Sequence, residues 1–334
     1  MKISAGIPNG LAAGPAAKAL EDQGYDMAMT AETAHDPFIP LAFAAEHTER
    51  LGLTTGIAVA FARNPMILAN LGHDLNSISK GRFTLGLGTQ IAAHITKRFS
   101  MPWSHPAPRM REMIRAMHAI WDCWEHGDKL DFRGEFYNHT LMTHYFTPVD
   151  NEYGRPKIAL AAVGPLMTKV AAQLADAMLC HAFTTPRYLR EVTVPMIEAT
   201  LAENGRDRGK FEIVATMFCA AGDTDEEVDK ARTALRRQIS FYGSTPAYKG
   251  VFELHGWNDL QPRLNRLSKE GKWDEMAESL SEEVVDAFVI SGTPEKVVDQ
   301  LKTVFAGKID RTTFGFGVKD PDRLKALIQR MKAA

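Results

Sequence analysis

The chain has 334 residues, 39 basic and 41 acidic side chains, a net charge of −2, and 45% hydrophobic against 24% charged residues. That composition excludes a disordered, collagenous or coiled-coil chain, the balanced charge offers no basic excess to a nucleic-acid partner, and no apolar run reaches the ~18 residues of a membrane span. Cys123, Cys180 and Cys219 are widely spaced in apolar segments and the first residues, MKISAGI, lack a signal-peptide core, so the expectation is a cytoplasmic protein with free thiols, no metal site and small-molecule chemistry.

In chain order, residues 2–7 are predicted as a strand and 11–23 as a helix stopped by Gly24. A strand at 27–30, a helix at 40–50, a strand at 53–60, a helix at 65–79 and a strand at 83–87 follow. Residues 108–126 form a long helix that ends before Gly127. Strands at 157–161, 177–181 and 212–220 are each followed by a helix, at 165–174, 186–202 and 224–241. A strand at 311–317 and a helix at 321–332 close the chain. Pro40, Pro65, Pro108, Pro165, Pro186, Pro294 and Pro321 fall at the predicted helix starts, where the N–H that proline lacks would have no helical partner.

The strands are continuous apolar runs, as expected of parallel strands buried on both faces. Eight of them alternating with helices predict an α/β fold, a (β/α)8 TIM barrel, as one domain over 1–334. An open doubly wound sheet is disfavoured because the first turn, PNGLAAG, is not GxGxxG. Two long connections are read as insertions that form lids or binding walls. One follows strand 4 (89–107 and 128–155, with short strands expected), and the other lies between strands 7 and 8 (about 243–308).

A barrel carries its site at the C-terminal ends of its strands. There Glu32 ends strand 2, with His35 beyond it. Its two readings are a proton-handling or hydrogen-bonding group and an ion pair to Arg63. Val163-Gly164-Pro165 joins strand 5 directly to a helix, which suits a phosphate and equally a tight turn. His35, His94 and His181 all fall near the mouth, without metal-ligand spacing. The loop MPWSHPAP, holding Trp103 and His105, is either a lid or a rigid crossing. Phe61, Phe99, Trp103, Phe183 and Tyr188 are candidates for an apolar pocket, although core packing accounts for aromatics equally well. HExxH, CxxC, GxSxG and GxxxxGK[ST] are absent.

Taken together, GIAVAFARNP (56–65), SKGRFTLGLG (79–88) and AAVGP (161–165) resemble the bacterial luciferase-like monooxygenase superfamily, and most of all its branch that uses the deazaflavin coenzyme F420. The resemblance implies a TIM barrel with the cofactor at its mouth and a cis peptide between Gly56 and Ile57 backing the ring. It also implies a ring contact from Val59, cofactor contacts from Thr89 and His94, and a phosphate held at Val163 and Gly164. Glu32 matches the family's acid near the ring. Many F420 enzymes have Asp-His where Glu32-Thr33 stands here; His35 is the substitute considered. Gln90 and Ile91 replace the glutamate of the sugar-phosphate dehydrogenases, which argues against such a substrate.

The resemblance therefore implies an F420-dependent oxidoreductase that moves a hydride between the deazaflavin and a small organic substrate. An FMN-dependent monooxygenase or reductase is the first alternative, and a degenerate barrel acting as a binding protein the second. A homodimer through the helices at 40–50 and 65–79 is also implied.

Overall fold

The computed structural model describes residues 1–149, 152–313, 315 and 317–333. Its centre is a closed barrel of eight parallel strands: β1 (Lys2–Gly6), β2 (Met27–Thr30), β3 (Gly52–Thr55), β4 (Phe83–Gly88), β5 (Lys157–Ala162), β6 (Ala177–Cys180), β7 (Glu212–Val214) and β8 (Arg311–Thr313). Leu53 pairs with Phe83, and a two-residue continuation of β3, Ala58–Val59, pairs with Leu87 and Gly88. The register Lys2↔Arg311 closes the ring, giving the expected TIM barrel.

All six residues of β4 are buried. A Cβ on Gly86 would lie 1.7 Å from the Thr55 carbonyl oxygen, so only glycine lets β3 and β4 approach this closely. Thr55 Oγ1 adds a bond to the Gly86 oxygen at 2.6 Å and accepts the Gly86 N–H at 2.9 Å.

At the opposite end, an aspartate precedes each of β2, β6 and β8. Asp26 accepts the Ile3 N–H, Asp176 that of Ile158 and Asp310 that of Ile213, at 2.7–2.8 Å. Each carboxylate thus ties its strand to a neighbouring one where the backbone ladder begins.

Helices α1 (Ala13–Gln23), α2 (Ile39–His47), α3 (Pro65–Ile78), α4 (Pro106–His126) and α5 (Pro165–Leu174) surround the first half of the barrel. Proline opens most of them, with Pro106 rather than Pro108 beginning α4. Trp121 on α4 is the bulkiest fully buried side chain, and its indole N–H reaches the Ala69 carbonyl.

The predicted strand 212–220 needs correction. β7 ends at Val214, and Phe218–Ala221 belongs to a separate two-stranded parallel sheet with Val289–Gly292, a strand the sequence reading did not include. Four short helices between 249 and 288 gather around that sheet in a second apolar cluster that includes Phe252, Leu264 and Phe288. The predicted helix 186–202 is likewise divided, into Pro186–Tyr188, a π-helical turn Leu189–Thr193 and Val194–Glu203. The insertion after β4 contains the expected short strands, Phe132–Arg133 against Asn138–His139. Glu112 on α4 holds their turn by accepting three consecutive N–H groups, from Glu135 to Tyr137. In the predicted last strand, Phe314 and Phe316 lie outside the described residues. Among the described residues no helix is long and apolar enough to cross a membrane.

Candidate active site

Glu32 lies just past β2 and is 9% exposed. Its Oε2 accepts the Val59 N–H at 2.7 Å and pairs with Arg63 Nη1 at 2.6 Å. Arg63 also reaches the Val59 carbonyl and Asp36, and its guanidinium lies over the Phe38 ring. The ion pair considered from sequence is therefore present, and it stitches the end of β2 to the continuation of β3. Glu32 Oε1 has no hydrogen bond among the described residues, which leaves one carboxylate oxygen for a ligand.

The RNP stretch reads as three structural parts. Arg63 holds the acids, Asn64 Oδ1 caps α3 by accepting the Ile67 N–H, and Pro65 starts the helix. In the second motif Arg82 donates to the carbonyls of Ala45, Thr48 and Leu51 and to Thr48 Oγ1, closing the C-terminal end of α2.

The peptide bond between Gly56 and Ile57 is cis. A Cβ on Gly56 would collide with Met29 at 2.2 Å, and one on Gly88 would meet Ile57 at 3.0 Å, so Ile57 packs across Gly88. Ile57 is half-buried. Val59 is sealed in the core and offers its N–H to Glu32. Thr89 donates to the Gln90 carbonyl. His94 is exposed where the π-helical turn His94–Arg98 begins, and His35 is exposed in the loop beyond Glu32.

The loop holding Trp103 is a tied crossing rather than a free lid. Arg109, 7% exposed, donates to the Pro102 carbonyl and to Tyr137 Oη and lies 4.9 Å from the Phe61 ring centre. Trp103 meets Phe61 edge-on.

Gly164 directly precedes α5, and no side chain caps that helix. A Cβ at Gly164 would meet nothing within 4 Å, so the turn faces open space with the first N–H groups of a ten-residue helix behind it. That is a cradle for an anionic oxygen cluster, and the residues present fit a phosphate-bearing cofactor.

Beyond Gly164 the mouth is aromatic. The ring centres of Tyr242 and Tyr248 lie 4.8 and 4.9 Å from that of His181, and Phe183 packs against Tyr248. Burial pushes His181 down to about 4 and the Cys180 thiol and Tyr248 phenol up to about 12, so all three are neutral near pH 7. Tyr242 and Tyr248 were missed from sequence, because nothing local brings them to β6.

A cavity of about 1320 Å³ opens at the other end of the barrel, around Lys2, Asp26, Glu212 and Arg311. Its acids are committed to strand N–H groups and to ion pairs with Lys332 and Arg311. The uncapped helix start at Gly164 and the second Glu32 oxygen, both at the mouth, are by contrast uncommitted.

A closed parallel barrel with a buried acid and an open, uncapped helix start at its C-terminal mouth is the frame of a barrel enzyme. Residues 12–311 match the luciferase-like monooxygenase family, and the chain belongs to it. It is accordingly an oxidoreductase. It is 50% identical over 330 residues to an uncharacterised protein of Mycobacterium tuberculosis, covering 98% of this chain and 97% of that one. It is 28% identical over 319 residues to the 5,10-methylenetetrahydromethanopterin reductase of Archaeoglobus fulgidus, covering 93% and 90%. The structure of the coenzyme F420-dependent tetrahydromethanopterin reductase of Methanopyrus kandleri superposes with a TM-score of 0.76 at 22% identity, covering 98% and 97%.

Proposed function

We propose that the mouth binds coenzyme F420 and that the chain is an F420-dependent oxidoreductase acting on a small organic substrate. The observation that carries this is the open, uncapped turn at Gly164, which follows one barrel strand, while two others lead into a half-buried Ile57 and a Glu32 with one uncommitted oxygen. The similarity to reductases, one of them F420-dependent by name, supports the choice of cofactor. When bound, the deazaflavin supplies hydride exchange at its C5 carbon.

The chain's residues then have assignable tasks. The backbone at Val163 and Gly164 holds the phosphate, and the first turn of α5 adds N–H groups. Ile57 presents apolar surface to the ring, with Val59 behind it. Thr89 and His94 border the cofactor's side chain. Glu32, held by Arg63, orients a donor group of the substrate, and His35 lies at the rim. We also propose a homodimer through α2 and α3, which expose Ile39 and Ile67; light scattering should give about twice 37.0 kDa, and a mass of 37.0 kDa would remove this assignment.

Fluorescence titration of the purified protein with F420 and with FMN tests the cofactor. Saturable F420 binding, with FMN weaker by about ten-fold or more, is expected. Tighter FMN binding would transfer the site to the flavin reading.

A further inference from the structure

Between the ends of β5 and β6 lies a cavity of about 20 Å³, bordered by Val163, Cys180, His181, Thr184, Tyr188 and Leu189 among others. No charged side chain lines it. Its volume is that of one water-sized group. Thr184, one of the residues that line it, is 4% exposed, and its buried hydroxyl has no hydrogen-bond partner, a costly state for a polar atom.

His181 is oriented toward a definite chemistry. The Phe183 N–H donates to its Nδ1 at 3.0 Å, so Nδ1 is the acceptor and the neutral ring carries its proton on Nε2. Tyr242 meets the ring edge-on and Tyr248 lies tilted across it, which fixes its plane. The Nε2–H has no partner among the described residues. A fixed neutral donor, an orphaned hydroxyl, apolar walls and no counter-charge suit an uncharged acceptor and penalise an anion.

We propose that His181 Nε2–H and Thr184 Oγ1 form a polar subsite that receives the carbonyl oxygen of an uncharged ketone, aldehyde or enone substrate. The proposal rests on the reading that the mouth holds a hydride carrier, since a carbonyl compound is then both a hydride acceptor and a hydrogen-bond acceptor. It makes His181 a specificity-determining residue, and it excludes carboxylates and phosphate esters as groups bound at this point.

The test uses 2-cyclohexen-1-one as the neutral probe and benzoate as the anionic one. Protein labelled with ¹⁵N-histidine is titrated near pH 7, both free and saturated with F420, as wild type, His181→Phe and His181→Gln. The His181 signal should report the neutral Nε2–H form and shift saturably with the enone but not with benzoate. His181→Phe should weaken enone binding by about ten-fold, while His181→Gln, whose amide can donate from a similar place, should stay within about three-fold. An Nδ1–H or cationic His181, no enone binding, equal enone affinity in His181→Phe, or tighter benzoate binding would each overturn the proposal. The wild-type spectra decide even if a variant fails to fold. Absence of F420 binding alongside a normal enone response would remove the cofactor reading and leave this subsite standing.

Discussion

Glu32 and Arg63 show how one residue pair serves both fold and site. Their side chains are 7% and 15% exposed, and the Val59 N–H shares the same carboxylate oxygen. Glu32→Gln keeps an acceptor for Val59 but removes the charge facing Arg63. It should lower stability by about 1–3 kcal/mol, read from urea unfolding, and wild-type stability would remove the anchoring role. His181 gives a second residue-scale prediction. Burial lowers its pKa from the ordinary 6.5 to about 4. Between those values the unfolded chain takes up a proton that the folded chain refuses, so stability falls as pH drops through that window, by at most about 1.4 kcal/mol per pH unit. His181→Phe should show a flatter profile from pH 6.5 to 4. Identical slopes in the two proteins would mean that His181 is not buried as a neutral ring. Glu32, Gly164 and His181 were all visible in the sequence because each lies just past the end of a strand. Thr184 was not, since an unpartnered hydroxyl is a property of packing alone.

At the scale of elements, the recognisable motifs prove to be joints. Arg82 terminates α2, and burial lowers its pKa against the pull of Glu21 and Glu49. Arg82→Ala would leave the Ala45, Thr48 and Leu51 carbonyls without this partner, at a cost of about 2–4 kcal/mol. F420 affinity should stay unchanged, because the end of α2 that Arg82 closes leads into the start of β3, far from the mouth. A stable Arg82→Ala variant, or one with lost cofactor binding, would contradict that assignment. The barrel strands were legible as apolar runs bounded by turns. The division of 212–220 was not, because Phe218–Ala221 is just as apolar as a barrel strand and differs only in its partner, Val289–Gly292. Choosing between two parallel neighbours is a long-range matter that local pattern does not encode.

The whole molecule combines a barrel with a helical insertion that walls one side of its mouth. The count of eight strands sufficed to predict the barrel, because closure follows from strands buried on both faces. The second apolar cluster behind Phe183 and Phe252 was legible only as a long connection, since its short helices draw their stability from packing on one another. What the sequence marked at the mouth is therefore the side proposed for the cofactor, while the Tyr242–Tyr248 wall emerges only from the folded insertion. At this scale Gly164 and the start of α5 are proposed to hold the phosphate of F420. The direct measurement is calorimetric titration of wild type and Gly164→Val with F420 and with the ribityl deazaflavin that lacks the phosphate. Gly164 has extended backbone, φ −92°, and open space around its Cβ position, so valine should fold normally there. Wild type should prefer F420 over the ribityl deazaflavin by about ten-fold or more, and Gly164→Val should erase most of that preference while binding the ribityl deazaflavin as before. Equal affinity of wild type for the two ligands, or an undiminished preference in Gly164→Val, would contradict the phosphate assignment.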